Sequence, residues 1–271
     1  MIVFIGMETS GQLRRRFQRL GIETYSCDLL PSEDGGEETT HTQDGRPLGR
    51  HIVGDVFEAL DHLYAIGKWP TVAIFHPECT YLTGSAAWAF KDPDFERYPG
   101  VGYHQRLREG TLFGKARRDA RARSLDDVRR IMHLPIRVKV IENPIGAIGS
   151  NIRRPTQIVQ PYQFGDDASK ATCLWILDKD ARALPEMRLP LVQARRVPGR
   201  WVEWPRGSGK LVERWSNQTD SGQNALSPDD ARWKDRSRTY SGIADALVAK
   251  LSEIILPPIP LVLIINRLLK I

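Results

Sequence analysis

Cysteine is scarce in this 271-residue chain. Cys27, Cys79 and Cys173 are odd in number and far apart, with no CxxC pair and no histidine cluster at metal-ligand spacing. That pattern argues against a disulfide framework or a zinc site, and no metal is expected. A secretory start is also missing, because Gly6 and Glu8 interrupt the opening MIVFIGMETSG too early, so a reducing cytoplasm is the expected compartment. The apolar run IILPPIPLVLII at 254–265 is short, and its three prolines remove backbone donors that a bilayer-spanning helix needs. It reads as a packing or oligomer contact, with a membrane contact as the alternative. GSGK at 207–210 is no phosphate loop, since Trp204 stands where the first glycine belongs and Leu211 replaces Ser or Thr. There is no internal repeat.

With 41% hydrophobic residues, the chain can bury one large core plus a small appendage. Helical and strand patterns alternate through the first two thirds, which predicts an α/β sheet covered on both faces. Apolar runs at Ile2–Ile5, 22–28, 51–53, Thr71–Phe75, 136–144 and Ala171–Leu177 read as strands. Helical patterns fall at 11–21, 56–67, 117–133 and 241–255. The polar stretch from Pro31 to Arg50 and the mixed stretch 84–114 read as loops. This divides the chain into a catalytic domain at 1–177, a small irregular insert at 178–227, and a returning helix with the apolar tail at 228–271.

Strand tips carry the polar residues: Glu8 to Gly11, Asp28, Asp55, His76-Pro77-Glu78-Cys79, and Glu142-Asn143-Pro144. In an open α/β sheet such carboxyl ends converge on one crevice. Taken singly each has a plainer reading, since an Asp after a strand also serves turns and helix caps, and a buried Cys is usually a small hydrophobe.

In order and spacing these tips resemble the cytosine-C5 DNA methyltransferase family. The matching segments are VFIGMETSGQLRRRF, YSCDLLP, VGDVFE, HPEC at 76–79, ENP at 142–144, FGDDASKATCLWIL from Phe164 and RSRTYSGIADALVAKL from Arg236. CDLLPSE, the HPxCTYL pattern, KATCLW and RWKDRSRTY are closer still to a small phage and prophage group assigned as DNA methyltransferases. The resemblance implies a Rossmann-like S-adenosylmethionine-dependent methyltransferase fold with a central, mostly parallel sheet. It implies S-adenosyl-L-methionine held by Glu8, Ser10, Gly11, Asp28, Asp55, His76 and Pro77, with Cys79 as nucleophile, Glu142 as acidic partner and Lys170 as the nearby positive charge. A phage-encoded protein would work in the host cytoplasm. The chain departs from the family where Glu78 separates Pro77 from Cys79, where Pro144 follows Glu-Asn, and where Ser169, Lys170 and Thr172 replace a Gln-x-Arg-x-Arg segment. A carboxylate beside the thiol opposes thiolate formation if it points inward. The insert is also short for a target-recognition domain.

The chemistry suits the residues. Carbon 5 of cytosine is a poor nucleophile, and adding a Cys79 thiolate to carbon 6 raises its electron density while Glu142 neutralises charge at ring nitrogen N3. Duplex or single-stranded DNA is the expected partner. Net charge is +6 with pI near 9.3, and nine Lys and Arg against four acids fall between Arg106 and Arg130. Arg117, Arg118, Arg121 and Arg123 would clamp phosphates there, or else form a solvated helix face. Arg200, Trp201 and Trp204 alternate aromatics with cations, as base stacking needs, though the tryptophans equally suit packing in a small subdomain. Two other functions stay open: methylation of free pyrimidine nucleotides, and non-catalytic nucleic-acid binding on the same fold.

Overall fold

The computed structural model describes residues 1–84, 87–92, 111–225 and 239–256. Seven strands form one sheet in the order β5-β2-β1-β6-β7-β9-β8, made of β1 (Ile2–Gly6), β2 (Glu23–Asp28), β5 (His51–Val53), β6 (Val72–Phe75), β7 (Val138–Pro144), β8 (Gln157–Val159) and β9 (Thr172–Asp178). Two short strands, β3 (Thr40–His41) and β4 (Pro47–Gly49), pair within the loop that follows β2. The pairs from β5 across to β7 are parallel, while β9 runs antiparallel to both β7 and β8. The architecture is therefore α/β with a mostly parallel central sheet, compatible with a Rossmann-like fold.

Continuous apolar runs form the central strands because both of their faces are covered. On one face α1 (Gln12–Arg19) and the C-terminal helix α6 (Ser241–Ile255) pack over Val3, Ile5, Ile74 and Val140. On the other, α2 (Val56–Ala65) and α4 (Gly114–Met132) pack over Phe4, Phe75 and Trp175. Alternate residues of each strand thus enter different cores. Phe17 of α1 is fully buried, and its truncation to Ala would cost about 3–5 kcal/mol.

The chain lays β2 and β5 on one side of β1 and then crosses back to lay β6 and β7 on the other. This order reverses beside β1, and such a reversal is where open α/β sheets bind ligands at the carboxyl edge. Because β9 runs the opposite way, its first residue, Thr172, pairs with Pro144 at the same edge. Two short helices line that edge, α3 (Cys79–Leu82) and α5 (Ala147–Asn151).

The first residues of the insert pack back on the sheet. Leu184 N–H bonds Ile176 O, and Leu189 is buried in the main core. Beyond it, β10 (Arg200–Glu203) and β11 (Leu211–Arg214) form an antiparallel hairpin. The apolar run from residue 257 onward, the basic residues Arg106 and Arg108, and the RWKDRSR part of the closing motif lie outside the described residues.

Candidate active site

The tips of β6 and β7 meet at this carboxyl edge. Phe75 pairs with Ile141, so the next step brings His76 beside Glu142. Alternation puts both on the α1 and α6 side, following Ile74 and Val140. His76 Nδ1 lies 3.2 Å from Glu142 Oε2, with side-chain exposures of 10% and 7%. Burial alone would raise the Glu142 carboxyl. The His76 hydrogen bond and the positive charges of Lys170 and His76 outweigh that and hold it below its ordinary value. Lys170 arrives from the segment entering β9. On β9 itself, burial and then the Glu142 charge push the Cys173 thiol up to about 11. His76 Nε2 and Asn143 Oδ1 are buried without a hydrogen-bond partner.

Cys79 opens α3 at the end of the turn after β6 and is half-buried. Asn143 ties this turn to β7, donating from Nδ2 to Pro77 O at 2.7 Å. Gly146, at the start of α5, lets α3 approach closely, since a Cβ there would sit 2.0 Å from Leu82 O. Glu78 is exposed, so its carboxylate is not turned into the protein beside the thiol.

Two of the basic-helix arginines are committed to α3. Arg117 is buried and donates to Thr80 O at 3.0 Å, and Arg121 donates to Tyr81 O at 2.7 Å and Thr83 O at 3.3 Å. The Arg121 guanidinium also lies 3.4 Å from the Phe90 ring centre. They satisfy carbonyls that a four-residue helix leaves open at its C-terminus. Arg118 is exposed and bonds Phe90 O and Asp92, and Arg123 is exposed.

The remaining tips lie along the same edge. Glu8 accepts from the Ser10 hydroxyl and from Gly11 N–H at 3.2 Å, closing the turn into α1. Gly11 is left-handed there, and any side chain would collide with Asp34. Asp34 is held by Arg14 at 2.5 Å and by Arg15, which anchors the loop after β2 over this turn. Asp28 accepts from Leu30 N–H, and burial raises its carboxyl against that bond and the His51 charge. Asp55 caps α2, accepting from Phe57 and Glu58 N–H. Leu29, Leu30 and Val53 are exposed apolar side chains beside these carboxylates.

The insert is fastened just before β9. Trp215 stacks on Tyr162 with ring centres 4.0 Å apart, and Asn217 both accepts from Ser169 N–H and donates to Ser169 O. Trp215 is thus a packing residue. Trp201 is 65% exposed and Trp204 36%, while Arg200 bonds Asp220 and Gln218 O.

The structure therefore joins His76 and Glu142 directly, brings the Lys170 charge to them, and links the Cys79 turn through Asn143. Glu8, Ser10, Gly11, Asp28 and Asp55 form a separate row, and Arg200, Trp201 and Trp204 stand on the hairpin. Sequence reasoning named Asn143 at the strand tip without its bond to Pro77, and missed Asn217 and the inward role of Arg117. The last was accessible, because Arg117 shares the helical stripe of Ala120, Val128 and Ile131.

Fold and edge together define an α/β protein with polar residues gathered at the carboxyl edge beside a strand-order reversal. No protein-family model matches the chain, and no curated protein matches it either. Among the described residues no helix is long and apolar enough to cross a membrane, and no group of three or more His, Cys, Asp or Glu could hold a metal.

Proposed function

We propose that the chain transfers a methyl group from S-adenosylmethionine to carbon 5 of cytosine in DNA, through a covalent adduct on Cys79. What supports this reading is that Asn143 ties the turn before Cys79 to β7 next to Glu142, and that the Lys170 charge acts on Glu142. The row of carboxylates beside it fits the cofactor. Asp28 and Asp55 can accept from ribose hydroxyls and an adenine amine, Glu8 can accept from an amino group, and Leu29, Leu30 and Val53 offer apolar surface to a flat ring.

When bound, the cofactor supplies an electrophilic methyl group on its sulfonium. Cys79 as thiolate adds to carbon 6, and Glu142 accepts from the exocyclic amine and stabilises the proton on N3. The Lys170 charge favours the ionised carboxylate. Loss of the carbon 5 proton to water then expels Cys79. A base in duplex DNA must be flipped out first, at a few kcal/mol. The exposed Trp201 and Trp204 beside Arg206 and Lys210 suit stacking on an extruded or single-stranded base.

One observation favours free pyrimidine nucleotides instead: Arg117 and Arg121 spend their hydrogen bonds inside the protein, which thins the proposed phosphate clamp. Labelled S-adenosylmethionine offered with duplex DNA, single-stranded DNA and deoxycytidine nucleotides separates the readings. Label in DNA is the expected result. Label only in free nucleotides moves the assignment to the second reading, and a cofactor-binding protein that labels none of the three is a non-catalytic binder.

A further inference from the structure

The acid proposed above has a difficulty that the structure also answers. Glu142 is held as a carboxylate, and a carboxylate only accepts. It can grip the exocyclic amine, but it carries no proton of its own for N3. The group in contact with it can carry one. His76 Nδ1 is 3.2 Å from Oε2, both side chains are at least nine-tenths buried, and the other ring nitrogen has no partner. Among the described residues, the further ionisable groups coupled to Glu142 are Lys170 on the segment entering β9 and Cys173 on β9. Of these, Lys170 contributes a positive charge to Glu142, and burial keeps Cys173 a thiol. His76 is thus the side chain in direct contact with Glu142 that has a ring nitrogen able to carry a proton toward it.

We propose that His76 is a positioning residue that orients Glu142 and supplies the proton that Glu142 passes to the cytosine ring. This rests on the methyltransferase reading. His76 begins as the imidazolium, and Nδ1 gives its proton to Glu142. The resulting carboxylic acid gives that proton to N3 as the C6–S bond to Cys79 forms. The Nδ1–H bond breaks and the N3–H bond forms, leaving His76 neutral, Glu142 ionised and the adduct uncharged. When the thiolate is expelled after methyl transfer, the N3 proton returns through Glu142 to His76. The carbon 5 proton leaves separately to water.

Two measurements test the assignment separately from the function it rests on. In the ligand-free protein, the His76 ring nitrogens are followed by NMR across pH, with the resonance assigned by its absence in His76→Gln. Replacing Glu142 by Gln should make His76 lose its proton at lower pH. An unchanged His76 titration in Glu142→Gln overturns the pairing whatever the catalytic outcome. The second measurement is methyl transfer as a function of pH. The wild-type rate should fall on the alkaline side as His76 deprotonates. His76→Gln can still hydrogen-bond Glu142 but cannot relay a proton, so it should lower kcat about 100-fold at neutral pH and flatten that limb. A His76→Gln profile that superimposes on an active wild type overturns the relay and leaves the functional reading standing. A wild type that binds cofactor but transfers no methyl group overturns the functional reading and the relay with it.

Discussion

Three thiols compete for any cysteine reagent, and their surroundings predict which one reacts. Cys27 is fully buried, and burial followed by the charges of Asp28 and Asp55 pushes its thiol up to about 12. Cys173 is pushed up to about 11 by burial and Glu142. At pH 8 these values leave thiolate fractions of roughly 1 in 10,000 and 1 in 1,000, against about 1 in 10 for an ordinary accessible thiol. Reaction through the thiolate should therefore be at least about 100-fold slower at either buried site, before restricted access slows it further. Native protein treated with iodoacetamide at pH 8 should take up one equivalent, mapped by peptide mass to Cys79. The Cys79→Ser protein should take up none on the same time scale, and all three sites should react in denaturant. Rapid labelling of Cys27 or Cys173 in the native protein would refute the reasoning.

The carboxyl edge and its surroundings yield further expectations. Asp28→Ala should weaken S-adenosylmethionine binding more than Cys79→Ala does, and calorimetry giving Asp28→Ala the wild-type affinity would remove Asp28 from the cofactor row. Neutralising Arg117 and Arg121 should lower thermal stability, at about 1.5–3 kcal/mol per charged hydrogen bond, and leave the salt slope of DNA binding unchanged. Neutralising Arg118 and Arg123 should do the reverse, so a flattened slope from the first pair would show that those arginines reach phosphate after all. Lys139 is fully buried, with Nζ on Leu134 O, Ile136 O and Asp178 O, and burial lowers it to about 8 from 10.5. Between those two pH values the unfolded chain binds more protons, so this residue makes stability rise with pH by up to about 3 kcal/mol. Urea midpoints of wild type minus Lys139→Met should climb from pH 8 to 10.5, and a flat difference contradicts the buried charge.

The central strands were legible because Val-Ile-rich runs ending in polar residues are what a doubly covered sheet requires. Asp28, Asp55, Cys79 and Glu142 were found as strand tips for that reason. The strand order was not legible, and with it went the contact of His76 with Glu142, which needs β6 beside β7 in one register. β8 is three residues long and partly exposed, and α3 is four residues long, so neither gives a periodic signal. Charge density also misled the reading of α4. Its run of arginines looked outward-facing, yet Arg117 lies on the buried stripe and bonds the carbonyls of α3, a long-range partnership that composition does not encode.

The central claim is a covalent bond between Cys79 and carbon 6 of cytosine. Fluorine at carbon 5 blocks the final elimination, so duplex DNA carrying 5-fluorocytosine in place of cytosine, incubated with the protein and S-adenosylmethionine, should trap that bond. The account predicts a denaturant-resistant protein–DNA adduct whose mass maps to the Cys79 peptide and which Cys79→Ser does not form. An adduct on Cys27 or Cys173, or none from a protein that binds both cofactor and DNA, would contradict it.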